Sequence, residues 1–259
     1  MKPAQITWMA RRARRALGIR RAFARVVHRW RAWSRFWQAR DEYNLAARPE
    51  QRALLENLYP CVYDATDTTE IEPVYYFQDC WAFERIVADR PPTHVDVGSH
   101  HKYVALLSKV VPVTMVDIRP LSVHMDSLAF MEGSILKLPF HDGSVPSLSS
   151  LCVVEHIGLG RYGDAIDPDG SRKAILELKR VLAPGASLYV SVPVDNRSYV
   201  EFNAHRVFAE SEFRGMVDDL ELLDRRYIVG NQFLAERAGQ PAVACFHLRR
   251  SIPDRGEDR

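Results

Sequence analysis

The sequence predicts an α/β chain: a doubly wound, mainly parallel sheet with an antiparallel pair at its end, preceded by a basic amphipathic helix. Three observations lead there. From residue 93 onward, short β-branched runs alternate with helical periods. Gly98 follows the first of those runs, and Asp117 closes the second, 21 residues after Asp96. The first 40 residues hold 12 of the 35 Lys and Arg and none of the 33 acids, leaving 23 basic against 33 acidic residues elsewhere. An acidic body with a cationic arm follows from that split. At 47% hydrophobic and 26% charged, the 259 residues supply a sizeable core and exclude disordered, collagen-like and disulfide-scaffold classes.

Taken in order, residues 1–40 form the arm. Within 6–40, Ala16, Ile19, Phe23, Val26, Trp30, Trp33 and Trp37 follow steps of three and four, so one helical stripe is apolar and arginines fill much of the rest. Residues 41–92 read as a connecting and helical lead-in, with a helix over 76–90 stopped by Pro91-Pro92. The body spans 93–250. Strands are expected over 93–97, 113–118, 148–154 and 187–192, with a short one near 129–131. Helices are expected over 103–110 and 172–182, the second closed by Pro184-Gly185. A helix near 210–216 precedes two last strands, 221–229 and 242–249, that suit an antiparallel hairpin. Residues 251–259 are a polar tail.

Cys61, Cys80, Cys152 and Cys245 stand far apart, with no CxxC pair and no zinc-type spacing to His. They read as reduced core thiols of a protein in a reducing compartment, and the expected location is cytoplasmic. No window approaches 18 uninterrupted apolar residues. Arginine interrupts the N-terminus where the apolar stretch of a secretory signal belongs, although a mitochondrial targeting helix shares its Arg-rich, acid-poor character. The Trp and Arg stripe has three readings. It suits an anionic membrane surface through residues 6–40. It also suits packing onto the body or a partner helix. Nucleic acid ranks last, because no recognised nucleic-acid fold follows the arm.

The strongest local feature is His94-Val95-Asp96-Val97-Gly98-Ser99 with Asp117 at the end of the next strand. In a doubly wound sheet, ligands bind outside the carboxyl ends of the strands, glycine admits a close backbone approach, and an acid about 20 residues on can accept ribose hydroxyls. The plain alternative is a helix cap at Asp96 and a turn at Asp117. Ser99, His100, His101 and Lys102 follow Gly98 where a pyrophosphate loop wants further glycines, so a cofactor without phosphates fits better.

These residues, with Thr114 to Asp117, Gly133-Ser134-Ile135-Leu136-Lys137-Leu138-Pro139-Phe140, Val153-Val154-Glu155-His156-Ile157 and the stretch from Leu176 to Val194, resemble class I S-adenosylmethionine-dependent methyltransferases. The loop from Glu155 through Asp164 to Gly170, with Tyr76-Phe77-Gln78-Asp79 and the stretch from Phe202 to Phe208, resembles an uncharacterised methyltransferase-like subgroup, a domain of unknown function, over roughly 75–250. The resemblance implies a seven-stranded Rossmann-like sheet, mostly parallel with an antiparallel last strand, and S-adenosylmethionine as cofactor. It puts Asp96, Gly98 and Ser99 at the methionine end, Asp117 on the ribose, and Ser134 and Ile135 by the adenine. Two positions depart from the family pattern: His100 stands for its second glycine, and Ser134 for its acid.

Glu155 and His156, at the end of the fourth body strand, are the candidate catalytic residues. Methyl transfer is an in-line displacement that asks for positioning and water exclusion, and a hydroxyl acceptor also benefits from a base such as His156. Residues 158–170 suit a lid or acceptor-binding loop. Setting Gly170 at the glycine of a calcium hand puts Ala165 and Leu176 at ligand positions, which excludes that metal site. Asn203, His205 and Arg206 are candidate substrate-binding residues, or else a polar turn. The function expected is methyl transfer to a small-molecule, lipid or glycan acceptor near a membrane. The alternative is a catalytically inactive binding or scaffold protein on the same fold.

Overall fold

The computed structural model describes residues 3–252, with side chains from residue 23 onward. The chain divides into two compact units at Glu70/Ile71. In the first, helix α1 (Pro3–Ala46) is followed by single 3-10 turns at Pro49–Gln51 and Leu55–Asn57. The chain beyond the helix folds back along it. Asn44 clasps the Ala53 backbone through both ends of its amide (2.8 and 3.3 Å), and the His28 and Tyr63 rings stack at 6.1 Å. Ala16 and Ile19 of the predicted stripe lie outside the described side chains. Its remaining members include Phe23, Val26 and Trp30, each about two-thirds exposed, and Trp37, also exposed. Among the described residues no helix is long and apolar enough to cross a membrane.

The second unit opens with α2 (Pro73–Asp89). It starts one turn earlier than expected because Glu72 caps the Tyr75 N–H at 2.8 Å and Pro73 occupies the first helical position. Then come β1 (His94–Val97), α3 (His101–Leu107), β2 (Val113–Asp117), β3 (Leu128–Glu132) and β4 (Val145–Leu151). After a 3-10 turn at Val154–His156 follow α4 (Gly170–Val181), β5 (Leu182–Asp195), β6 (Tyr199–Glu201), β7 (His205–Ala209), α5 (Glu210–Met216), β8 (Leu220–Val229), β9 (Gln232–Leu234) and β10 (Ala242–Arg250).

The strands run in the order β3-β2-β1-β4-β5-β10-β8-β9, with β7 also pairing β5 and β6 pairing β7. The pairs from β3 through β5 are parallel. The final strand β10 inserts antiparallel between β5 and β8, and it pairs with β8 as the predicted hairpin. The Pro184-Gly185 turn is absorbed into β5 as a bulge. β4 pairs with β5 on both sides of it, and Gly185 takes φ +78°.

Strand alternation sends Leu188, Val190 and Val192 to the face covered by α4 and α5, and Tyr189 to the face covered by α2 and α3 with Met115 and Trp81. Cys245 sits in that second core, but Cys61 and Cys80 are exposed and Cys152 is half-buried, which corrects the expectation of four core thiols. Exposure follows from position: Cys61 lies in the irregular stretch after the 3-10 turns, and Cys80 on the outer side of α2.

Candidate functional site

The loops that follow β1 and β4 meet the N-terminal half of α2, where His100 faces Tyr75 and Asp79 and Cys152 meets Gln78. Gly98 turns the chain at φ +72°. A Cβ there would lie 3.1 Å from the Val153 methyl, so the loops after β1 and β4 touch across this glycine. Asp96, fully buried, accepts the Ser99 N–H at 3.0 Å on one oxygen and the Ser149 hydroxyl at 2.5 Å on the other. Ser99 Oγ in turn accepts the Leu151 N–H at 2.9 Å. Both side chains are spent on fixing the two loops, so they shape the site rather than face it.

Below Asp96, His94 lies between Ser147 and Ser149, 2.8 Å from each hydroxyl. Ser149 gives its one proton to Asp96, so His94 Nε2 must donate to Ser149 and Nδ1 must accept from Ser147. Burial keeps that imidazole neutral, pushing it down to about 3, and raises Asp96 to about 6.

Asp117 ends β2 beside Gly98, whose N–H reaches the Val116 carbonyl at 3.0 Å. Its Oδ1 accepts the Arg119 N–H at 2.9 Å, and no donor among the described residues reaches Oδ2. Ser134 caps its own turn by accepting the Leu136 N–H at 3.2 Å. Ile135 belongs to the hydrophobic core with Val116 and Leu138. Its side chain is therefore a core anchor for the turn and is not offered to an adenine.

On the other side, His156 Nδ1 is 2.6 Å from the Ala204 carbonyl. A carbonyl can only accept, so Nδ1 carries the proton and Nε2 holds the free lone pair, 3.9 Å from Glu155 Oε1. Burial lowers His156 and raises Glu155 to about 8. His205 lies nearby, its ring 6.3 Å from that of His156 and its Nε2 3.4 Å from Glu201. Asn203 is exposed at the β6–β7 turn with φ +64°. Arg206 is different. It is nearly buried, and its guanidinium donates to the Ile157, Asp167 and Pro168 carbonyls and to Ser171 Oγ. All of these contacts staple the base of loop 158–170, so Arg206 is a loop anchor and not a group offered to an acceptor.

Four residues here carry buried polar atoms with no partner: Gln78 Nε2, Asp79 Oδ1, His100 Nδ1 and Glu155 Oε2. Only Arg40 and Arg214 add to that set among the described residues. Gln78 accepts from Ser191 Oγ at 2.7 Å and Cys152 Sγ at 3.2 Å, leaving its NH₂ idle. Asp79 stands 3.9 Å from His100, whose ring packs on Tyr75 at 4.8 Å, and burial pushes Asp79 up to about 7. Each such atom costs about 1–3 kcal/mol when left dry, so their concentration at one rim marks a place for a polar ligand. Sequence reasoning assigned no role to Tyr75, Gln78 or Asp79. The available signal was a polar Gln78 on the same helical stripe as the buried Trp81, Ala82 and Ile86.

Residues 137–227 match the family described as Caenorhabditis protein of unknown function, DUF268. No curated protein matches the chain. Among solved structures, N-methyltransferase NodS from Bradyrhizobium japonicum WM9 is similar with a TM-score of 0.52 at 14% identity, over 71% of this chain and 99% of that one. The same protein in complex with S-adenosyl-L-homocysteine gives 0.50 at 15% identity, over 82% and 97%. The [4+2]-cyclase SpnF gives 0.50 at 14% identity, over 67% and 82%. Likeness at such identities is one of architecture: a Rossmann-like α/β sheet, mostly parallel with antiparallel strands at its C-terminal end.

Proposed function

We propose that the protein is an S-adenosylmethionine-dependent methyltransferase acting on a small-molecule, lipid or glycan acceptor at an anionic membrane surface. The observation that carries the reading is the group of unpartnered buried atoms on Gln78, Asp79, His100 and Glu155 beside Gly98 and Asp117. Their inventory, carboxyl oxygens together with an amide donor and an imidazole nitrogen, fits a ligand end that bears both an ammonium and a carboxylate. Asp117, with Oδ2 unspent, fits a ribose diol, and Gly98 supplies the tight turn at φ +72° that brings the loops after β1 and β4 together beside it. The complex of NodS with S-adenosyl-L-homocysteine supports the same choice of cofactor.

When bound, the cofactor supplies an electrophilic methyl on a sulfonium. The chain's own residues do the rest. Asp96 and Ser99 hold the β1 and β4 loops in register, Asp117 orients the ribose, and Glu155 and Asp79 complement positive charge. His156, fixed as the Nδ1–H tautomer by Ala204, takes the acceptor's proton at Nε2. Loop 158–170 excludes water over the rim. The membrane part rests on α1: Phe23, Val26, Trp30 and Trp37 are exposed on a helix whose region holds 12 basic residues and no acid through residue 40.

Calorimetric titration with S-adenosylmethionine and S-adenosylhomocysteine tests the assignment. Asp117→Ala should lose a charge-assisted bond worth about 1.5–3 kcal/mol, roughly a tenfold to hundredfold loss of affinity. Wild-type protein that gives no heat and no thermal shift at millimolar cofactor removes this reading and leaves the scaffold.

A further inference from the structure

Tyr162, in loop 158–170, has two guanidinium groups at its ring: Arg119 with its central carbon 4.6 Å from the centroid, and Arg161 at 5.1 Å. The contact with Arg119 is topologically unusual. Tyr162 follows β4 and Arg119 follows β2, while β1 lies between those strands. The pair therefore links the segments that follow β2 and β4 across the intervening strand β1. The ring also lies 5.7 Å from that of His156, edge to face.

Most donors of these two arginines are unspent. The Arg119 side chain donates no hydrogen bond to any described residue, and its acid neighbour Asp117 stands 3.7 Å away. Arg161 reaches the Ala204 carbonyl at 3.3 Å with the same nitrogen that stands 3.4 Å from His156 Nδ1, leaving its other donors unused. The three acids within the loop are occupied: Asp164 by the Gly158 and Tyr162 N–H groups at 2.6 and 3.3 Å, Asp167 by Lys173 at 2.6 Å and Asp169 by Arg172 at 3.3 Å. Two like charges converge on one ring; Asp117 pairs with Arg119 at 3.7 Å without a hydrogen bond, and the two planar forks keep donors that it does not use.

Building on the methyltransferase reading, we propose that the acceptor carries a phosphate-type oxyanion, held between Arg119 and Arg161 against Tyr162, with the methylated atom toward His156. The same chemistry belongs to a soluble phosphomonoester and to a lipid headgroup. The test is titration of the full chain, free and saturated with S-adenosylhomocysteine, with inorganic phosphate and glycerol 3-phosphate, and then with phosphatidic acid or phosphatidylcholine vesicles. Arg119→Ala/Arg161→Ala should weaken phosphate and glycerol phosphate binding at least tenfold while S-adenosylhomocysteine affinity stays within about twofold. Arg119→Lys/Arg161→Lys, which keeps charge but loses the forks, should fall between. A soluble source gives glycerol phosphate binding with no arginine-dependent preference for phosphatidic acid; a lipid source makes that preference depend on the two arginines with the arm intact.

Equal phosphate affinity in wild type and the double alanine variant, or none in either, overturns the proposal. A double variant that loses S-adenosylhomocysteine instead assigns the arginines to the cofactor and overturns it as well. Absence of S-adenosylhomocysteine binding in wild type is a separate result: it removes the methyltransferase reading, while the phosphate titration of the free chain still decides the anion site.

Discussion

Glu155 holds a carboxyl group with 2% of its surface exposed and one oxygen unpartnered, and burial pushes it up to about 8. An acid whose folded pKa exceeds its unfolded value binds more protons when folded, so stability falls as pH rises from about 4.5 to about 8. Asp79, raised to about 7, and Asp96, raised to about 6, add to this alkaline limb. His94 acts oppositely: held near 3, it costs stability as pH drops below 6.5. The ligand-free protein should therefore be most stable in mildly acid solution. Thermal melting from pH 5 to 9 should give a flatter alkaline limb for Glu155→Gln than for wild type; superimposable limbs would dismiss the buried-acid account. At the neighbouring position, His156→Ala should lower turnover by about 10²–10⁴ with cofactor affinity kept, once an acceptor is in hand. Lost affinity with unchanged turnover would give His156 to the cofactor pocket.

Loop 158–170 is tied at its base by Arg206 and by the Asp167 N–H to the Gly158 carbonyl at 3.0 Å, so it is a braced loop that carries Tyr162. Removing the staple with Arg206→Ala leaves several carbonyls without a donor. It should cost about 2–3 kcal/mol, roughly 5–10 °C in Tm, and expose the loop to limited proteolysis. Cleavage at the wild-type rate would mean the brace lies elsewhere. The same loop shows where sequence reading reaches its limit. The β-branched runs and the Gly98 and Asp117 landmarks made the parallel half of the sheet legible, because buried parallel strands are continuous apolar runs. β6, β7 and β9 were not legible. The first and last span only three residues, and β7 begins with the polar His205-Arg206 pair. Asp117, Gly98, Glu155 and His156 could be picked out from local motifs. The partnership of Arg119 with Tyr162, or of Asp79 with His100, joins residues far apart in sequence through strand order, which no local window contains.

At the scale of the whole chain, charge and core divide in the same way. The body from Ile71 has its own two-faced core, and the Arg-rich helix belongs to the other compact unit. Removal of residues 1–70 should leave a folded, acidic body that still binds cofactor, while co-sedimentation with anionic vesicles at low salt is lost. Each basic group near such a surface contributes about 1 kcal/mol, so full-length protein should be released from vesicles by high salt. Unfolding of the truncated body would show that the tryptophan stripe completes its core, and binding to duplex DNA in place of vesicles would overturn the membrane assignment.

The cysteines give this division a practical use. Cys61 lies in the first unit and Cys80 in the second, both exposed. Cys245 is buried, and burial pushes both its thiol and that of Cys152 far above the range in which a thiolate forms at neutral pH. Maleimide dyes should therefore label the native protein at one position in each unit without any engineered residue. A donor–acceptor pair on those two thiols would turn the chain into its own ruler, reading the separation of arm and body by energy transfer as vesicles, cofactor or phosphate are added in turn.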